Sequence, residues 1–145
     1  MKKYQHLLLQ FILFLLILLW IYTASSKLLN FAHFKLQMRI QILPHWLSRP
    51  LVYVLPPSEI IAGLLLLFSR TRLAGLYLSF FLMCLFTGYV GMVISNYFGR
   101  TPCSCGGVLQ FLGWRLHFAF NLLYLLFTAT GIYIVNRERR MARQG

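Results

Sequence analysis

A chain of 145 residues that is 59% hydrophobic and only 11% charged lacks the charged quarter of residues with which soluble domains cover their surfaces. Its net charge of +12, with Glu59 and Glu138 its only acids, comes from basic residues scattered between apolar runs. This excludes a nucleic-acid footprint, which needs a contiguous basic face, and points to a lipid-embedded protein whose cations set its orientation.

Four apolar stretches, about Leu7 to Ala24, Leu51 to Phe68, Leu73 to Ile94 and Trp114 to Val135, each approach the ~20 residues that cross a bilayer as a helix. The expected architecture is an all-α, four-helix transmembrane bundle forming a single domain over residues 1–145. Lys2 and Lys3 precede the first helix. A rival reading makes Met1 to about Ser26 a signal peptide ending in Ala24-Ser25-Ser26. The apolar run is long for that role, and Trp20 and Tyr22 suggest an aromatic belt at its outer end.

Between the first two helices, Phe34, Leu36, Met38, Ile40 and Ile42 alternate with polar residues in a strand-like period. A lone strand leaves its edges unpaired beside lipid. A short interfacial helix is therefore expected here, with His45 and Trp46 near the headgroups. In the second apolar run, Pro56-Pro57 predicts a break, with a new helix start presenting free N–H groups beside Glu59. Glu59 lies ~15 Å from the end of that helix at 1.5 Å per residue. An acid at that depth is a functional candidate by default. Lys27 is its expected partner, either in a structural ion pair or in acid–base work.

Arg70 and Arg72 fill the next turn, and Arg137, Arg139, Arg140 and Arg143 close the chain. With Lys2 and Lys3 they fall on one side of four crossings. The positive-inside rule makes that side, with both termini, cytoplasmic. Cys84, deep in the third helix, reads as a small packing residue.

The loop before the fourth helix carries the most specific signal, Arg100-Thr101-Pro102-Cys103-Ser104-Cys105-Gly106-Gly107. A disulfide prefers Cα atoms about 4.4–6.8 Å apart, so closing one over a single intervening residue needs a turn. Pro102 and the two glycines permit one. So small a ring is strained and readily exchanged, and its loop is too short to stabilise much as an inert clip. Arg100, Arg115 and the N-terminus of the fourth helix favour a thiolate. Zinc or copper binding by both thiols and His117 is the competing chemistry, although no second Cys pair is present. His117, Asn121, Tyr124 and Thr128 share one face of the fourth helix. There they serve helix–helix hydrogen bonding or, for His117, proton transfer.

Ser25-Ser26-Lys27-Leu28, Pro56-Pro57-Ser58-Glu59, Gly75 to Ser79, and Pro102 to Gly107 followed by His117 and Asn121 form a pattern. It resembles the MauE/DoxX-like family of redox-associated membrane proteins over nearly the whole chain. The resemblance implies a bacterial inner-membrane protein whose Cys loop faces the periplasm. Cys103 and Cys105 would be its redox pair, with Glu59, Lys27 and His117 in support. It also implies a role beside a thioredoxin-like partner in maturing a disulfide-rich periplasmic enzyme. Where many relatives carry Phe, this chain has Gly106. No cofactor is demanded by the residues; a quinone is compatible with the aromatic content. The best sequence reading is electron exchange between the thiol pair and a periplasmic thioredoxin-like or disulfide-containing partner. A scaffold with a structural Cys pair and a metal or small-molecule transporter are the alternatives.

Overall fold

The computed structural model describes residues 2–97, 99 and 113–145. Its helices are α1 (Lys2–Leu29), α2 (Phe31–Ile40), α3 (His45–Leu67), α4 (Arg72–Ile94) and α5 (Trp114–Gln144), and no strand occurs among the described residues. All but α2 are long and apolar enough to cross a membrane. Each of these four packs on its neighbours in the order α1, α3, α4, α5, and α5 returns to α1. The result is a closed bundle of alternating direction.

Its core comes from apolar residues at helical spacing, among them Leu9, Ile12 and Leu16 of α1, Ala62 and Leu66 of α3, and Leu76 and Met83 of α4. Lipid is as apolar as these side chains, so close packing and interhelical hydrogen bonds carry the association. Small residues let the helices approach. A Cβ on Gly75 would sit 2.9 Å from the Leu66 backbone nitrogen. The α3–α4 turn beside it is fastened by the Thr71 hydroxyl, which donates to the Leu65 carbonyl at 2.9 Å. The outward faces present large apolar residues such as Phe11, Phe14, Leu64, Phe81 and Leu126.

The segment after α1 is helical, as expected. Phe34 and Met38, four apart, are the buried residues of α2 and pack with Val52 of α3, while Leu36 and Ile40 are exposed. The two-residue alternation thus hides a helical repeat. Three expectations are corrected. α3 runs unbroken through Pro50, Pro56 and Pro57. The proline pair removes the donors to the carbonyls of Val52 and Tyr53, yet two missing rungs do not stop a helix held by its neighbours. No free helix start lies beside Glu59. Trp20 is not part of a belt: α1 continues nine residues beyond it, about 13 Å, and Trp20 is buried. Cys84 is exposed on the outside of α4, because that helix is apolar all round and its inward face is not marked in sequence.

Candidate functional site: an ion pair and a polar cavity inside the bundle

Lys27 in the last turn of α1 donates to the Oε1 atom of Glu59, midway along α3. The carboxyl is fully buried and the lysine nearly so. The ammonium also lies 5.7 Å from the ring centre of Phe34 on α2 and 5.5 Å from that of Phe86 on α4. Ring faces attract a cation most where water is excluded. Rings from two helices, α2 and α4, and a carboxylate from a third, α3, therefore converge on Lys27 of α1.

One bond deeper, the Trp20 indole donates to the Ser79 hydroxyl at 2.9 Å, joining α1 to α4 across the bundle. Phe86 packs on Trp20 with ring centres 6.5 Å apart. Toward the end of the bundle that carries α2, the Tyr89 hydroxyl donates to the side-chain carbonyl of the buried Gln41.

Lys27, Glu59, Phe34, Phe86, Trp20 and Tyr89 border a cavity of ≈ 100 Å³. Its walls include Thr23 and Lys27 from α1, Glu59 from α3, Tyr89 from α4, and Trp114, His117 and Asn121 from α5. Glu59 Oε2, His117 Nδ1 and Asn121 Nδ2 are buried and have no hydrogen-bond partner among the described residues. One is an acceptor, one a donor, and the imidazole nitrogen is either, depending on its proton. A buried water binds to two to four such atoms and takes up ~30 Å³. The cavity thus has the volume and the polar atoms for roughly three waters.

Sequence reasoning therefore joined Lys27 to Glu59 and placed His117 and Asn121 on one face of α5, and the structure brings all four to one cavity. It does not bring Arg115, which is exposed and away from the cavity wall. Thr128 is buried but donates back to the Tyr124 carbonyl of its own helix at 2.7 Å. The polar face of α5 is thus no ladder of interhelical bonds among the described residues. Cys103, Cys105, Arg100, Gly106 and Gly107 lie outside the described residues. Phe34, Phe86, Trp20 and Tyr89 were not anticipated as parts of the site, and Ser79, which holds Trp20, was marked only as part of the family pattern. A buried hydroxyl on an apolar helix was the one available signal, at Ser79.

The family model described as methylamine utilisation protein MauE matches residues 5–134. The chain belongs to the MauE family. That match covers every helix of the bundle up to the last turns of α5, and it speaks for MauE and not for the DoxX-like part of the resemblance. No curated protein and no solved structure matches the chain. Within this MauE-family bundle, the polar cavity is where buried ionisable and hydrogen-bonding groups from α1, α3 and α5 meet. Such groups inside a membrane are costly and mark functional sites.

Proposed function

We propose that this MauE-family protein is a thiol–disulfide redox protein of the bacterial inner membrane, exchanging electrons through Cys103 and Cys105 with a periplasmic thioredoxin-like or disulfide-containing partner. The supporting observation is the polar cavity lined by the first turn of α5, the helix that follows the thiol segment in sequence. Residues 98–112, which carry both cysteines, connect α4 to α5. Trp114 and His117, in the first turn of α5, line that cavity together with Glu59 and Asn121. The basic residues at the opposite end (Lys2, Lys3, Arg70, Arg72 and the C-terminal arginines) support, by the positive-inside rule, a cytoplasmic position for that end and a periplasmic one for the cysteines.

In the reducing direction, a thiolate of the pair attacks a sulfur of the partner disulfide, forming a mixed disulfide and expelling one partner thiolate. The second cysteine then attacks its neighbour's sulfur, closing Cys103–Cys105 and expelling the other partner thiolate. Two electrons pass to the partner, and two protons leave this chain's thiols for the partner's. The reverse sequence oxidises a partner dithiol. His117 takes the proton from the attacking thiol and hands it to the expelled partner thiolate, a role suited to an imidazole near neutral pH.

Cys103→Ser and Cys105→Ser variants test this reading. One of the two is expected to accumulate a mixed disulfide with a periplasmic protein, released by reductant and identified by mass spectrometry. Full function in both variants with nothing trapped would instead make the chain a scaffold. The transporter alternative draws on Glu59, His117 and an interruption of the second apolar run; of these only the interruption is absent, since α3 is continuous.

A further inference from the structure

Away from the central cavity, Lys35 and Arg39 of α2 line a groove of ≈ 500 Å³ together with His45 and Arg49 at the start of α3. Each pair is spaced i, i+4, which sets both members on one side of their helix. The whole chain has two acids to answer its cations, and neither is here. Glu59 is engaged by Lys27, and Glu138 lies beside Lys2 at the other end of the bundle. Among the described residues none of the four basic groups is ion-paired. Cations gathered without a counter-charge draw an anion, and the planar forks of Arg39 and Arg49 match the oxygens of a phosphate.

The level of the groove narrows the ligand further. Trp46 beside it is 77% exposed and Tyr53 in its wall 60%. Amphipathic rings of this kind sit at the headgroup level of a bilayer. From Tyr53 an exposed stripe continues along α3 through Ile60 and Leu64, at i+7 and i+11. A basic groove at the interface that leads onto an apolar stripe matches a molecule with a phosphate head and hydrocarbon tails. We propose that the α2–α3 groove binds the phosphate of an anionic phospholipid headgroup, whose acyl chains lie along α3. The site requires only the membrane and is independent of the thiols.

The test uses the full chain in nanodiscs of phosphatidylcholine with or without phosphatidylglycerol. The readouts are the lipid retained on extraction, by native mass spectrometry, and the thermal midpoint. Phosphatidylglycerol is expected to be retained preferentially and to raise the midpoint, as a ligand bound to the folded state does. In Arg39→Gln/Arg49→Gln the preference should fall by about fivefold per arginine, the value of one basic residue near an anionic surface. A Lys2→Gln/Lys3→Gln variant, altered at the far end, should keep it. Stabilisation by inorganic phosphate in pure phosphatidylcholine discs, lost in the arginine variant, would support the phosphate site but assign its ligand to a soluble anion. A preference that is absent from the wild type, or unchanged in Arg39→Gln/Arg49→Gln, would overturn the site.

Discussion

At the scale of single residues, the ion pair of Lys27 and Glu59 decides how this interior is charged. Removing one partner leaves the other buried without compensation, which costs about 3–5 kcal/mol. Lys27→Met should therefore destabilise the protein by that order, whereas Lys27→Met/Glu59→Leu should recover most of the loss, as measured by equilibrium unfolding in mixed micelles. Equal losses in the single and double variants would show that the pair is not coupled. Ser79→Ala orphans the Trp20 indole and is expected to cost about 1 kcal/mol, since interhelical bonds in membranes are worth ~0.6–1.7 kcal/mol. The ion pair was legible in the sequence because the chain has one interior acid and one lysine near the matching helix end. The rings of Phe34 and Phe86 around that lysine were not. With 17% aromatic residues, no single phenylalanine stands out until helix rotation is known.

Among the helices, the closest approach is at Gly75, where an added Cβ would meet Leu66 nitrogen at 2.9 Å and Leu65 atoms at 3.0 Å. These are mostly backbone atoms and cannot turn aside. Gly75→Ala should force α3 and α4 apart and cost about 1–3 kcal/mol, the range for overpacking. Gly131→Ala meets the flexible end of the Leu76 side chain at 3.1 Å, so its loss should be smaller when both variants are compared by equilibrium unfolding in mixed micelles. If Gly131→Ala proves the more damaging, the α3–α4 turn is not the tight contact described here. The number and approximate place of the long helices could be read from hydropathy, and the amphipathic α2 from the penalty on unpaired strands near lipid. The path through Pro56 and Pro57 could not. Whether a helix survives two missing rungs depends on the helices around it, and local sequence carries no record of them. The outward Cys84 was hidden for a related reason, since lipid and core select the same side chains.

For the whole molecule, the closed ring of α1, α3, α4 and α5 gathers three groups of basic residues at one end, while the end of α4 and the start of α5 lie at the other. In a Cys84→Ala background, a membrane-impermeant maleimide added to intact spheroplasts is expected to label Cys103 and Cys105 once they are reduced. It should not label a cysteine placed at Arg137, and the opposite pattern would invert the topology. Labelling of the expected kind would put the thiols on the oxidising side of the membrane, where disulfide chemistry persists. The most direct measurement is the redox state of Cys103 and Cys105 in growing cells, by thiol mass-tagging before and after a pulse of reductant. Thiol–disulfide exchange predicts a mixture of dithiol and disulfide that shifts with the pulse and recovers afterwards. A pair fixed in one state throughout would contradict it and leave the bundle as a scaffold.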